Sequence, residues 1–396
     1  MSNTLLTPTA VTREALRVAH QSANFIGNID RQHDAEFAVS GAKIGDSIKI
    51  RQPNQFAVTD GAVLSAQDTT ESSTTLQLTG RKHVGMGFTT ADLSLSIDDF
   101  SARFITPAAS ALMANVEADA LSMYKSVYNQ VSNVGSAATV GKILAGRKIL
   151  MDCLAPASDR SVILNTQDNV DLVDGNKALF NDQKVLSKQY LEGAQGRAAG
   201  FDFYENTLLA RHTSGTENGA SITITINGAN QTGASITVAN GSSKTLKKGD
   251  VITLPGVNRV HPETKADTGV AQQFVVTADV AAGGTTVYIS PSIVTSGATQ
   301  NVSASPTNSG SITKVGGASA AHGISLAFHK SAFTFATADL VLPKGVHFGA
   351  REVMDGISLR VVQDYDINND KLPARLDILY GYVAQRPEFA VRLANN

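Results

Sequence analysis

The chain has 396 residues, a formal net charge of −2 and one cysteine, Cys153. This length is enough for a large buried core and two or more structural units. The near-neutral charge gives no basic field for nucleic-acid recognition, and the single cysteine excludes an intrachain disulfide framework. The sequence contains no apolar run of about 18 residues, so no membrane span is predicted. The start of the chain lacks the pattern of a secretory signal.

The first elements in chain order are an arm helix and a ribbon. Residues 9–24 carry apolar side chains at helical spacing, which predicts a short amphipathic helix. Residues 41–90 carry two runs of alternating apolar and polar side chains, and this period is typical of strands. Pro53 is tolerated there only on an unpaired edge. We therefore predict a long two-stranded ribbon that needs a neighbour to lie on.

The middle of the chain is predicted to be mixed helix and strand. In residues 96–131 apolar side chains recur at steps of three and four, which predicts one long helix with a bend or break near Pro107. Residues 139–154 predict a second helix, and residues 160–166 a buried strand. Short helices and strands are expected from there to residue 210.

Residues 212–320, which we call the inserted module, differ from both flanks. They are rich in Gly, Ser and Thr, and the sequence GASIT occurs twice, at 219–223 and 233–237. Several short alternating runs separated by turn residues predict an all-β barrel or sandwich. The mixed character resumes at residue 321, so we predict that the module is inserted into a loop of an α+β domain.

Two motifs imitate chemical sites. Residues 135–142 resemble a phosphate loop, but their glycines are one residue too far apart and Ile143 stands where Ser or Thr should follow the lysine. Residues 364–370 copy half of a calcium loop, but Asn369 replaces the required glycine and Arg375 the bidentate glutamate. We interpret the first as a lead-in to a helix and the second as a turn.

No catalytic, cofactor or metal site is predicted elsewhere. The eight histidines show no pair at the spacing of a zinc-binding helix. Cys153 lies in an apolar stretch and is interpreted as a small core residue. The sequence therefore predicts no enzyme.

Three stretches outside the inserted module resemble one known family. Residues 19–56, 96–119 and 356–381 are closely similar, in the same order, to the major capsid proteins of tailed phages. The nearest group is the coat protein of P22-type podophages, which has the Hong Kong 97 fold. The resemblance implies an α+β, Hong Kong 97-like capsid fold with an N-arm, an extended loop, a spine helix and an inserted all-β barrel domain.

The resemblance also implies how the chain is divided. The expected parts are an N-terminal arm at 1–40, an extended loop at 41–90, a peripheral domain with the spine helix at 91–134, the first part of an axial domain at 135–211, the inserted β-barrel domain at 212–320, the axial domain's return at 321–345 and the peripheral domain's C-terminal strands at 346–396.

The implied function is that of a major capsid protein of a tailed double-stranded DNA phage. Its expected partners are copies of itself in hexamers and pentamers, a separate scaffolding protein, a portal protein at one vertex, and packaged DNA bound without sequence specificity. The expected location is the virion, after assembly of an icosahedral procapsid in the host bacterial cytoplasm. No cofactor and no membrane are implied.

Three groups of charged residues are candidate contacts between proteins. The first lies on the polar side of the arm helix and is expected to meet the scaffolding protein; the second lies on the ribbon; the third lies in the loop 258–269 and is expected to reach a neighbouring capsomer. For the last two, a solvated surface is the alternative. The groups are Arg13, Glu14 and Arg17; Arg81, Lys82 and His83; and Arg259, Glu263, Lys265 and Asp267.

Two other classes of function remain open from the sequence. A phage or bacterial surface adhesin is the alternative, because a β module can bind glycans. Only Phe274 and Tyr288 are aromatic between residues 212 and 320, which leaves no cluster for stacking on sugars. An enzyme comes third, because no catalytic constellation is present.

Overall fold

A computed structural model of the protein describes residues 23–31, 47–59, 61–62, 66, 71–89, 106–176, 196–217, 224–241, 244–346, 348–354, 357–369 and 371–395. The helices are α1 (Asn24–Gly27), α2 (Thr106–Leu121), α3 (Val140–Asp152) and α4 (Thr166–Asn176). The predicted arm helix at 9–22 and residues 96–105 of the predicted long helix lie outside the described residues.

The strands follow in chain order. They are β1 (Ser47–Arg51), β2 (Ser73–Gln77), β3 (Gly80–Thr89), β4 (Gln130–Ser132), β5 (Arg160–Leu164), β6 (Arg197–Ala198), β7 (Phe201–Glu205), β8 (His212–Thr213), β9 (Thr225–Ile226), β10 (Gly233–Ala239), β11 (Val251–Val260), β12 (Asp267–Val276), β13 (Thr286–Ile293), β14 (Thr313–Lys314), β15 (Ala321–His322), β16 (Ile324–His329), β17 (Phe333–Ala338), β18 (Phe348–Met354), β19 (Ile357–Gln363), β20 (Lys371–Ala384) and β21 (Ala390–Ala394).

The chain forms two compact units. Unit 1 draws its described residues from Met1–Ile50, Thr74–Leu121 and Phe333–Val383; unit 2 draws them from Arg51–Ser73, Ser122–Ala332 and Ala384–Asn396. Each unit combines sheet with helix, so the α+β prediction is confirmed.

Unit 1 is built around the long strand β20. Strands β19 and β18 continue the sheet from β20 by antiparallel pairing, β17 is also its neighbour, and β3 pairs with it from Thr89 opposite Lys371 to Gly80 opposite Tyr380. Helix α2 turns a row of apolar residues inward, including Leu112, Val116 and Ala120, at the spacing of one helix face.

The described end of the N-terminal arm lies inside the core of unit 1. Phe25, Ile26 and Ile29 are fully buried, and the Phe25 ring packs edge-on against Phe333 at 5.6 Å between centroids. The Phe25 backbone N–H donates to the buried Glu117 carboxylate at 2.7 Å. This part of the arm is therefore held by its own subunit.

The ribbon departs from the sequence prediction. The second alternating run is two strands: β2 pairs with β1, and β3 joins the sheet of β20. Ile48, Ile50 and Leu76 form a small apolar cluster with Ala336 of the same unit. The period of two continues across the junction at residues 78–79, so alternation alone did not reveal the change of partner.

Gly80 allows β3 to begin directly over a buried aromatic ring. A Cβ on this residue would lie 2.6 Å from Cζ of Tyr380, which is 1% exposed. We expect Gly80→Ala to lower the free energy of unfolding by about 1–3 kcal/mol, because the ring cannot move within a packed core. Chemical denaturation measures the change. Gly85→Ala, on the same strand with nothing within 4 Å of its Cβ, is the control and should differ from wild type far less.

The predicted long helix ends earlier than its apolar spacing indicates. Helix α2 stops at Leu121, a 3-10 segment covers Ser122–Ser126, and β4 begins at Gln130. Met123 and Val127 remain buried, so they continue the helical pattern without a continuous α-helix. Ser, Tyr, Val and Asn in this stretch have lower helix propensity than the Ala-rich α2, which favours the break.

Unit 2 outside the module is a mixed sheet with helices on one face. Its strand order is β4-β21-β16-β5-β7-β6. Helix α3 packs closely on this sheet at Gly146, where an added Cβ would lie 3.2 Å from the Leu393 side chain. Ser325 pairs with Leu393 across the strands, so both side chains share a face, and Ser325 donates to Asp168 of α4 at 2.5 Å. Helices α3 and α4 therefore cover the same face of the sheet.

The inserted module is a β structure with its own core. Its sheet order is β14-β11-β12-β13-β10-β9, and its core holds buried Ile, Val, Leu and Phe side chains from all parts of the module. Ile312 N donates to Ile224 O, and Ile226 N to Gly310 O, both at 2.9 Å. These bonds join the segment leading into β14 to β9, at the other end of the strand order.

Candidate functional site

The inserted module is joined to the rest of unit 2 through a short antiparallel pair, β8 and β15, which we call the neck. His212 and His322 face each other in this pair, with ring centroids 5.6 Å apart. Both rings are buried, at 5% and 3% exposure. The two ends of the module are thus held together by titratable side chains in a low-dielectric setting.

Asp250, just before β11, ties the module to the neck. Its Oδ1 lies 2.9 Å from His212 Nε2, and its Oδ2 accepts backbone N–H groups of Lys247 at 2.8 Å and Gly215 at 3.0 Å. Burial raises the pKa of this carboxyl, but the hydrogen bonds from His212, Lys247 and Gly215 outweigh burial and leave the pKa below its usual range. Asp250 therefore stays ionised at neutral pH.

Arg392 of β21 meets the module from the opposite face of the mixed sheet. The side chain is fully buried, its Nη1 donates to Gly249 O at 2.6 Å, and its guanidinium lies 6.0 Å from the Tyr124 ring centroid. Burial lowers the pKa of Arg392 to about 10, although Tyr124 and Asp250 act in the other direction. The group still carries its charge at neutral pH.

Two further contacts fix the module on unit 2. The Gln273 side chain accepts from Gln130 N at 2.7 Å and donates to Gln130 O at 3.0 Å. Arg259 Nη2 lies 2.8 Å from Asp152 Oδ2 at the end of α3. Together with the neck and Arg392, these bonds attach the module by buried polar groups at several points.

The neck predicts a pH-dependent stability. Burial, followed by electrostatic interactions with His212, Arg392 and Lys314, lowers the pKa of His322 from 6.5 to about 4, although the hydrogen bond with Ala320 O acts in the other direction. Between these values the unfolded chain binds a proton at His322 and the folded chain does not, so stability falls as the pH drops from about 6.5 to about 4. Melting temperatures across this range should show the fall.

The contribution of His322 can be isolated by substitution. His322→Gln should flatten the pH dependence in this window relative to wild type, whereas His83→Gln, at an exposed position of β3, should leave it unchanged. A melting curve series in which His322→Gln keeps the wild-type slope would contradict the prediction.

The predicted ribbon cations lie on β3 and are engaged within unit 1. Lys82 Nζ lies 2.6 Å from Asp119 Oδ2 and also donates to Asn115 O at 3.1 Å. Arg81 Nη2 lies 3.7 Å from Asp377 Oδ2, and the Arg81 side chain is 53% exposed. His83 is exposed and faces Asp377 in register. The three residues therefore present a partly exposed basic strand.

The predicted capsomer contact lies at the tip of β11 and β12, residues 258–269, which we call the charged tip. Arg259 is turned to Asp152 and its side chain is 14% exposed, so it anchors the base of the tip. Lys265 Nζ donates to Gln300 O at 3.2 Å, and Asp267 Oδ1 accepts Gly269 N at 2.8 Å. Glu263 is exposed. Arg13, Glu14 and Arg17 lie outside the described residues.

Sequence reasoning missed the residues of the neck. His212 and His322 fall at the two ends of the predicted module, and their position at a domain boundary is the one signal that the sequence carried. Asp250 lies at least 38 residues, and Arg392 at least 70 residues, from either histidine along the chain. No periodic pattern in the sequence connects positions so far apart.

The two motifs that imitate chemical sites have the predicted structural roles. Residues 135–139 lead into α3, and residues 364–369 lie in the turn between β19 and β20, where Asp366 accepts from Asn368 N at 3.0 Å. Cys153 is buried, and burial raises the pKa of its thiol to about 11. A thiol held protonated in this way is a poor nucleophile.

The described ranges contain no group of three or more His, Cys, Asp or Glu side chains placed to hold a metal ion. No helix in that part of the chain is long and apolar enough to cross a membrane.

Several solved structures from phages are similar to this chain. The structure of Mycobacterium phage Che8 matches with a TM-score of 0.50 at 13% identity, covering 94% of this chain and 90% of that chain. The capsid structure of cyanophage P-SCSP1u matches with a TM-score of 0.45 at 10% identity, covering 89% and 84%. The mature capsid of bacteriophage PhiM1 matches with a TM-score of 0.46 at 9% identity, covering 89% of this chain and 83% of that chain. At 13% identity, the match to the Che8 structure shows the fold alone.

The sequence comparison decides the family. The profile of the P22 coat protein family, gene protein 5, matches residues 36–394, which is most of the chain. No curated protein matches the chain. Because the family match spans both units and the inserted module, and the fold is that of the phage capsids, this chain belongs to the P22 coat protein family and is a phage major capsid protein with the Hong Kong 97-like fold.

Proposed function

We propose that copies of this chain assemble, with a separate scaffolding protein, into hexamers and pentamers of an icosahedral procapsid in the host bacterial cytoplasm. A portal protein occupies one vertex, and the shell encloses DNA without reading its sequence. The near-neutral net charge of −2 supports confinement of DNA without strong electrostatic binding. The role is structural, and we assign no catalytic activity to the subunit.

The arrangement of charged residues in the charged tip supports the proposal. Arg259 fixes the base of the tip to Asp152, while Glu263 and Asp267 are exposed beyond it. An anchored, charged hairpin on a module with its own core suits contact with a neighbouring capsomer, because symmetry repeats each weak contact many times. We assign the intercapsomer contact to Glu263, Lys265 and Asp267.

Charge reversal at Glu263 tests this contact. Glu263→Lys, co-expressed with the scaffolding protein, should shift products from closed shells to tubes or aberrant particles, with the melting temperature of the subunit unchanged. Lys248→Glu, an exposed position of the same module outside the tip, is the matched control. Normal shells from Glu263→Lys, seen by electron microscopy, would leave the tip as a solvated hairpin.

The extended loop is proposed to lie on an adjacent subunit. Phe56 and Val58 support this role, because their side chains are 62% and 90% exposed in the described part of the loop. Deleting residues 57–72 should leave a soluble, folded subunit that forms shells poorly. Loss of the subunit's own fold would show instead that the loop belongs to its core.

The N-arm is proposed to bind the scaffolding protein through Arg13, Glu14 and Arg17. Exposed charges mainly set the encounter rate and its salt dependence. Replacing the three residues by alanine should therefore slow assembly and change its dependence on salt, which the lost charges no longer set, without unfolding the subunit. Unchanged salt dependence would place the scaffold contact elsewhere, for example on the C-terminal strands.

A further inference from the structure

Helix α3 exposes a row of apolar side chains on the face turned away from its sheet. Ile143, Gly146 and Leu150 are buried against the sheet, as expected for an amphipathic helix. The row on the other side follows the spacing of one helix face and continues one turn past the helix end. Its members, with their exposed fractions, are Val140 (36%), Leu144 (45%), Met151 (49%) and Leu154 (43%).

Leu154 holds an unusual backbone conformation. Its φ is +60°, and the bonds Leu154 N to Met151 O and Ala155 N to Leu150 O, both 2.9 Å, form a Schellman motif. Glycine is the usual residue at this position, because a side chain there strains the backbone. The leucine is not buried by the rest of the described chain, so packing within the subunit does not compensate for this strain. Such strained residues cluster at functional sites.

The charge of α3 is opposite to that of α4 beside it. Around its apolar row α3 carries basic residues, and its one carboxylate, Asp152, is paired with Arg259. Helix α4 carries no basic residue and three aspartates, of which Asp168 is buried against the sheet, Asp171 is half-buried and Asp174 is exposed. It also exposes an apolar residue, Val170, at 61%. Because both helices lie on one face of the mixed sheet, the subunit presents a basic apolar surface and an acidic surface with an apolar centre.

We propose that the α3 face of one copy of the chain binds the α4 face of a second copy. Leu144, Met151 and Leu154 then cover Val170, and Arg147 and Lys148, both exposed, meet the acidic residues of the partner's α4. Where α3 of one copy meets α4 of the next without the reciprocal contact, the interface is heterologous, and such interfaces can close into a ring. The inference rests on the assembly of this chain into a capsid, and it names one surface that joins the subunits.

A leucine-to-glycine change separates this role from folding. Leu154→Gly removes strain, so the melting temperature of the subunit should stay the same or rise. If Leu154 packs on a second copy, the same variant combined with Leu144→Gln should raise the concentration needed for half-maximal assembly by roughly tenfold, because every ring repeats the lost contact. Val270→Gln, at an apolar position of the module that is 48% exposed, is the matched control.

Charge reversal tests the proposed pairing of the two faces. Arg147→Glu with Lys148→Glu should abolish assembly, and adding Asp174→Lys to the same chain should restore part of it, because the exposed charge of α4 is then opposite to that of the reversed α3 face. Lys344→Glu, at an exposed position of unit 1, controls for the change in net charge. Light scattering follows assembly, and circular dichroism checks the fold.

The outcomes distinguish this inference from the function itself. Wild-type assembly at normal concentration by all α3 variants would overturn the inference and leave the capsid role intact. A fall in the melting temperature of the Leu154→Gly subunit would also overturn it, because the face would then be covered within one chain. Failure of the wild-type chain to assemble under any condition would argue against the capsid function.

Discussion

Asp377→Asn is expected to lower the free energy of unfolding of unit 1 by about 3–5 kcal/mol, the cost of breaking a buried ion pair. Asp377 is fully buried on β20 and accepts Arg360 Nε at 3.0 Å and Arg360 Nη2 at 2.6 Å. Arg375 Nε lies 3.1 Å from Asp377 Oδ2 without making a hydrogen bond, and Arg81 Nη2 lies 3.7 Å from the same oxygen. Asparagine removes the charge that balances these cations and leaves Arg360 uncompensated in a largely buried position.

Chemical denaturation of the variant measures this loss. Asp364→Asn, in the exposed turn before β20, is the control and should stay within about 0.5 kcal/mol of wild type. The double variant Asp377→Asn with Arg360→Gln should lose less than the sum of the two single variants, because the residues are directly coupled. A loss below about 1 kcal/mol for Asp377→Asn would show that the bidentate bond is not maintained in solution.

Asp250→Asn is expected to weaken the attachment of the inserted module, with a loss of about 2–4 kcal/mol in the unfolding of unit 2. The carboxylate accepts from two backbone N–H groups and lies 2.9 Å from His212 Nε2, at 2% exposure. An amide in its place directs its own N–H groups at one of these donors and weakens the hydrogen bond with the His212 ring.

The matched control for Asp250 lies in the same module. Asp279 pairs with Lys247 at 3.0 Å, but its side chain is 57% exposed. Exposed pairs contribute about 0–1 kcal/mol, so Asp279→Asn should have a much smaller effect than Asp250→Asn. Equal effects of the two variants on thermal or chemical unfolding would contradict the importance of burial at the neck.

Local patterns were enough to predict most of the strands and helices. The period of two in residues 233–239 and 251–260 corresponds to β10 and β11, and helical spacing in 139–154 corresponds to α3. In these elements the apolar side chains recur at a fixed spacing along the chain, so the local sequence alone reveals the type of element.

Long-range pairings explain what the sequence did not predict. β3 leaves the ribbon because Gly80 fits over Tyr380, a residue 300 positions later in the chain. Arg259 looked like one more charge of an exposed loop, but Asp152, on a different element, takes its guanidinium. The basic row of Arg81 and Lys82 was predicted as a contact surface without the acidic partners Asp377 and Asp119 that unit 1 provides. No single-residue property carries such information.

Negative-stain electron microscopy of the purified chain, co-expressed with the phage's scaffolding protein, tests the central claim most directly. A capsid subunit of the P22 coat family should give closed icosahedral shells or isolated capsomers, and their formation should depend on protein concentration. Thin fibres would favour a surface adhesin. Small monomeric particles at every concentration, with the scaffolding protein present, would contradict the assignment as a capsid subunit.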